Sequence, residues 1–187
     1  MNGFRERYSG FTLTIHWLTV ALVLTQLLLL WLAGEADRDM RGYWMNFHKS
    51  VGLTILMITL ARLASRLSGH KAIPLPDRTP GWQKLAARTT HVLFYVFLIV
   101  MPLAGWLSST AAGRPIMFFN LFQWPDMPLV PLDRGLARSV IDVHELAGKI
   151  LIGLVILHVL GGLKHFLIDK DNVLQRMLPF LPRRAEA

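Results

Sequence analysis

The sequence predicts an all-α membrane protein, a four-transmembrane-helix bundle with both termini cytoplasmic. Three observations carry this expectation. The 187 residues are 53% hydrophobic and 17% charged, with a mean hydropathy of +0.41, too apolar for an ordinary soluble domain. Four apolar stretches are each long enough to cross a hydrocarbon core about 30 Å thick. Histidines recur inside those stretches, where an ionisable side chain is costly and marks function by default.

The stretches run over residues 11–33, 46–67, 89–110 and 140–168 of a single domain, 1–187. The first ends in Leu32-Ala33-Gly34, in the manner of a signal peptide. Its length, and His16 near its start, favour a retained helix instead. The second and third are joined by residues 68–88, which contain Pro74, Pro76 and Pro80. The third and fourth are joined by residues 111–139, rich in proline and in aromatics. Phe118, Phe119, Phe122 and Trp124 suit the headgroup level, so this connection reads as an interfacial cap. The fourth stretch is longer than a crossing needs, and either tilts or projects past the bilayer. No repeat, linker or second domain is evident.

Cysteine is absent. That excludes disulfides, thiolate ligands, cysteine-held iron–sulfur clusters and thioether-attached haem. Any metal must be held by His, Asp, Glu or Met, and histidine suits an apolar setting best. The net charge of +8 would raise the question of nucleic acid in a soluble chain, but here it reads as membrane topology, with no nucleic-acid partner. One side of the bilayer holds thirteen Lys and Arg residues and the other seven. The richer side, with both termini, is cytoplasmic; in a bacterium the membrane is the inner one and the opposite face is periplasmic.

Topology gives each histidine a depth. His144 and His158 lie 14 residues apart in the fourth stretch. That spacing is within about 40° of four full turns and climbs about 21 Å, so both rings share one face near opposite sides of the membrane. His48 is the one histidine at the depth of His144, and the two form the outer pair. For His158 a partner can come from His16 or His91. His16 lies deeper in its apolar stretch, whereas His91 sits close after Arg88 and reads more readily as an interfacial side chain. His48, His144 and His158 each have a glycine four residues on, at Gly52, Gly148 and Gly162. A missing side chain there would let a flat macrocycle lie against the helix; close approach of neighbouring helices is the plainer alternative. Two imidazoles per metal, without a thiolate, favour electron transfer, and the metal indicated is iron in two b-type haems. A zinc transporter would mix carboxylates with imidazoles, and the apolar stretches hold almost none.

Positive groups follow the same geometry. Arg62 is 14 positions after His48, so it faces the deeper site and can meet a haem propionate or snorkel to the cytoplasm. Lys49 and Lys149 flank the outer histidines. His165, seven residues past His158, is too far along to share its iron; a propionate, a quinone carbonyl or the plain interface remain open for it.

These residues resemble the bacterial cytochrome b561 family. The likeness runs through Arg7-Tyr8-Ser9, Ile15-His16-Trp17, His48-Lys49-Ser50-Val51-Gly52, Arg62-Leu63 with Arg66, Pro102-Leu103-Ala104-Gly105, His144-Glu145, His158 and Lys170-Asp171-Asn172. What the resemblance implies is a four-helix protein with two bis-histidine b haems, His16 pairing with His158 and His48 with His144. Some members are similar to superoxide oxidases, which take electrons from superoxide outside and pass them to ubiquinone. By that likeness His165 and Arg78 line a quinone site on the cytoplasmic side, with Arg78 standing where a lysine is familiar. The outer segments mix acids and bases, which gives superoxide steering little independent support. A second reading is an electron-conduit subunit serving a dehydrogenase, hydrogenase or periplasmic redox carrier. A haem-free transporter or assembly factor is a third.

Overall fold

The computed structural model describes residues 8–69 and 73–182. Four long helices dominate: α1 (Gly10–Glu35), α2 (Arg38–Leu67), α3 (Gly81–Ala111) and α4 (Arg134–Lys164). A short hairpin, β1 (Ile116–Phe118) and β2 (Phe122–Trp124), lies between α3 and α4. Each helix is long and apolar enough to span a bilayer. Their outer faces carry exposed Leu24, Leu28, Trp31, Val96, Val100, Ile156 and Leu160, a surface suited to lipid rather than water. The chain is therefore a four-helix membrane bundle.

The helices begin earlier than their apolar stretches. Asp37 caps α2 by accepting from the Met40 N–H at 3.0 Å, so the helix starts at Arg38, where hydropathy alone places it at 46. Pro80 stands just before the first turn of α3, which starts at Gly81 rather than at 89. Asp133 accepts from the N–H groups of Gly135 and Leu136 and starts α4. In each case polar residues extend the helix beyond the apolar core. The connection between α2 and α3 is correspondingly shorter than residues 68–88.

Two residues separate α1 from α2, which makes them antiparallel neighbours. Close packing joins α1 to α2, α2 to α3 and α3 to α4; among the described residues nothing comparable joins α4 back to α1. Helix α2 is the most enclosed, with Val51, Leu53, Ile55 and Leu56 buried. The α3–α4 contact is tied by Ser108 Oγ, which donates to the Ala137 carbonyl at 2.9 Å.

The hairpin is the expected cap in a more definite form. Ile116 pairs with Trp124 and Phe118 with Phe122. Its turn holds Phe119 and Asn120 at φ 48° and 60°, a left-handed conformation easy for Asn and costly for Phe. The cap is bonded to α2 on either side of His48. Asn46 donates to the Met117 carbonyl at 2.7 Å and accepts from the Met117 N–H at 2.9 Å. Ser50, fully buried, accepts from the Phe119 N–H at 2.9 Å.

Beyond α4 the chain makes a π-helical turn over His165–Asp169, a left-handed Lys170 and a short 3-10 helix at Leu174–Arg176. This terminal segment folds across the bundle end. Leu174 lies against Gly162, and Trp17 Nε1 donates to the Met177 carbonyl at 2.9 Å.

Candidate functional site

Two pairs of imidazoles face each other across the bundle. His48 on α2 and His144 on α4 have ring centroids 6.3 Å apart. His16 on α1 and His158 on α4 have centroids 6.4 Å apart. Two metal–nitrogen bonds of about 2 Å, plus two ring radii of about 1.1 Å, require roughly 6 Å between imidazoles sharing one metal. Both pairs meet that spacing. The 14-residue step along α4 sets the sites about 21 Å apart along the helix axis.

At the outer pair, the His144 ring is oriented from α3. Its Nδ1 lies 3.1 Å from the Met101 carbonyl, which leaves Nε2 to face His48 or a metal. The ring packs beside Gly105 of α3, where a Cβ would stand 3.5 Å from it, in ordinary contact. His48 Nδ1 is buried without a hydrogen-bond partner. Gln26 donates from Nε2 to the His48 carbonyl at 3.1 Å, tying α1 to the ligand-bearing turn.

The inner pair opens into a cavity lined from all four helices, by His16, Thr59, Arg62, His91, Tyr95 and His158 among apolar side chains. The Arg62 guanidinium lies 5.8 Å from the Tyr95 ring centroid, and no carboxylate forms an ion pair with it among the described residues. The buried hydroxyls of Thr59 and Tyr95 lack hydrogen-bond partners. An apolar cavity holding one arginine, unsatisfied hydroxyls and opposed imidazoles fits a flat apolar macrocycle with anionic substituents.

His91 lines this same cavity, with its ring centroid 5.4 Å from that of His158, rather than only marking the interface. Its Nδ1 is 2.7 Å from the Ala87 carbonyl of its own helix. Phe94 packs edge-on to His158 at 5.3 Å. The three glycines lie where neighbours approach closely. A Cβ on Gly52 would meet Gln26 at 3.2 Å, on Gly148 Met101 at 3.6 Å, and on Gly162 Leu174 at 3.5 Å. Of the three, only Gly52 is tight, its missing side chain leaving room for the Gln26 amide; at Gly148 and Gly162 a Cβ would make ordinary contact. Lys49 is half-buried beside His48 and Lys149 is exposed.

His165 is buried at the C-terminal end of α4, its Nδ1 2.7 Å from Asp171 Oδ2. Arg78 is exposed in the turn after Pro76, and no hydrogen bond or ion pair joins it to His165 among the described residues. The structure thus brings together His16, Arg62 and His158, and separately His48 and His144. The spacing of residues along a chain could not have revealed Gly105, Gln26 or Asn46, which act across helices. Asn46 and Ser50 flanking His48 by two residues were the only trace.

The family model described as "Prokaryotic cytochrome b561" matches residues 7–180. The chain is 33% identical over 178 residues to "Cytochrome b561 homolog 2" of Escherichia coli K12, covering 92% of both proteins. It is 27% identical over 180 residues to "Cytochrome b561 homolog 1" of the same organism, covering 93% of this chain and 98% of that one. Against "Probable superoxide oxidase CybB" of Yersinia pestis it is 28% identical over 174 residues, covering 93% and 97%.

Proposed function

Because this chain belongs to the prokaryotic cytochrome b561 family, we propose that it carries electrons from periplasmic superoxide to ubiquinone. Membership itself makes it a bacterial membrane protein that binds b haem and transfers electrons across the membrane. The finer reading places two haems in each chain, both termini in the cytoplasm, and the protein in the inner membrane. The observation that carries the two-site reading is the near-equal separation of two imidazole pairs, 6.3 and 6.4 Å.

In this reading His48 and His144 hold the outer group, and His16 and His158 the inner one. Bound b haem supplies a reversible one-electron couple at each pair. Arg62 offers its charge to an inner propionate, and Lys49 and Lys149 stand near the outer pair. His144 is kept in one orientation by Met101 and Gly105, so little rearrangement is needed when charge arrives. The Asn46- and Ser50-bonded hairpin covers the outer end. His165, at the far end of α4, would meet the quinone headgroup, with Arg78 on the neighbouring connection. The relative named a superoxide oxidase supports the donor, and two superoxide anions supply the two electrons one quinone needs.

The test is purified, haem-loaded protein given an enzymatic superoxide flux and a soluble ubiquinone analogue. Quinol is expected to form well above the uncatalysed rate. Quinol formation at the background rate would sink the superoxide oxidase reading. Co-purification of a dehydrogenase or hydrogenase would then favour the conduit.

A further inference from the structure

The cytoplasmic end of α4 carries a polar chain that electron transfer between the two imidazole pairs does not use. Lys164 Nζ donates to Gln83 Oε1 at 2.8 Å and to both oxygens of Asp169 at 2.9 and 2.7 Å. Asp169 Oδ2 is 3.2 Å from His165 Nδ1, and Asp171 Oδ2 is 2.7 Å from the same nitrogen. The other Asp171 oxygen accepts the Val173 N–H at 3.0 Å. The ring and the second carboxylate are enclosed, at 9% and 5% exposure, while about a quarter of the Asp169 side chain, 27%, remains open.

The two carboxylates therefore differ in kind. Asp171 is buried and fixed at both oxygens, so it orients the imidazole. Asp169 touches both the ring and the solvent, so it can collect a proton and pass it inward. With Nδ1 turned to the carboxylates, Nε2 is the ring atom left to meet a ligand. The three groups lie close enough together for a metal ion. However, the Lys164 ammonium already bonds both Asp169 oxygens and supplies the positive charge. A second buried polar group lies in the segment that follows. Gln175, in the same terminal segment, is 2% exposed, and neither of its amide atoms has a hydrogen-bond partner. A buried carboxamide left open on both atoms calls for a polar guest or water.

We infer that His165, Asp169 and Asp171 form the proton-input relay for quinone reduction, with Asp169 loading the imidazole and Asp171 holding it in position. This rests on the quinone reading above. The overall step is two superoxide anions plus one quinone plus two protons giving two dioxygen molecules and one quinol. Each superoxide loses one electron, and the quinone gains two. The relay supplies the protons one at a time: Nε2–H gives its proton to a quinone carbonyl oxygen while Nδ1 takes one from Asp169, which is reprotonated from water, and the ring returns to its Nε2–H tautomer by proton exchange before the second transfer. Lys164, Asp169 and Asp171 are the charged groups bonded to this cluster, and Gln83 ties it to α3.

The experiment uses the haem-loaded full chain and follows its absorbance in two separate phases. Superoxide is added without quinone to measure haem reduction; a soluble ubiquinone analogue is then added to measure reoxidation. Asp169→Asn is expected to leave haem content and the first phase unchanged, and to slow the second by about 10- to 100-fold. Azide or imidazole, as diffusible weak acids, should restore the rate, which a purely structural defect would not allow. Asp171→Asn should slow the second phase similarly, with little rescue, because the ring itself is misaligned. If Asp171→Asn fails to assemble, Asp171→Ser keeps an acceptor for the Val173 N–H and is expected to show the same slow phase. Wild-type reoxidation in both Asp169→Asn and the assembled Asp171 variant would overturn the relay alone. Absence of quinone-dependent reoxidation in the wild type would overturn the quinone reading, and the relay with it.

Discussion

His91 and His16 lie near the same end of the bundle, and both rings line the cavity around His158. Their distances differ: 5.4 Å between centroids for His91 and 6.4 Å for His16. A shared metal needs about 6 Å, and the His91 ring is also fastened to its own helix through the Ala87 carbonyl. His16→Ala should therefore abolish the inner haem, while His91→Ala should retain it with an altered spectrum. Visible spectra of the purified variants decide this, and the reverse pattern would exchange the two assignments. The 14-residue spacing from His144 to His158, and from His48 to Arg62, was readable because helical period is a local property. The direction of His91 was not. It depends on how α3 is rotated against α4, which no single stretch of chain records. Gly105 was legible only as part of the Pro102–Gly105 likeness, not as a contact, because its partner, His144, belongs to a different helix.

Helix α2 and the hairpin form the most tightly joined part of the outer half. Asn46 makes three hydrogen bonds to the cap, to Met117 and Asn120, and Ser50 holds the Phe119 N–H. Losing these buried or half-buried partners costs about 1–3 kcal/mol per unsatisfied group. Asn46→Ala should lower the thermal midpoint and hasten proteolytic cleavage within residues 112–133, while both imidazole pairs still bind haem. Cleavage at the wild-type rate would show that the cap is held by its aromatic packing instead. The aromatic residues made an interfacial cap legible. The hairpin itself was hidden, since Phe119-Asn120 lacks the Asn-Gly signature of a tight turn. Helix starts were misplaced in the other direction: counting apolar residues finds the hydrocarbon crossing, while Asp37 and Pro80 mark where the helix begins in water.

Across the whole molecule, three close helix contacts and one open side explain how four helices can hold large guests. The packing α1–α2–α3–α4 leaves α1 and α4 less closely joined, and the cavity that all four helices line holds His16 and His158. Helix α4 contributes to both imidazole pairs and then continues into the His165 cluster, so one element runs past all three groups. The most direct measurement of this account is haem per chain, by pyridine haemochrome, in the wild type and in His144→Ala. Two haems in the wild type are predicted, with the variant keeping the inner one. One haem in the wild type, or loss of both in the variant, would contradict two independent bis-histidine sites.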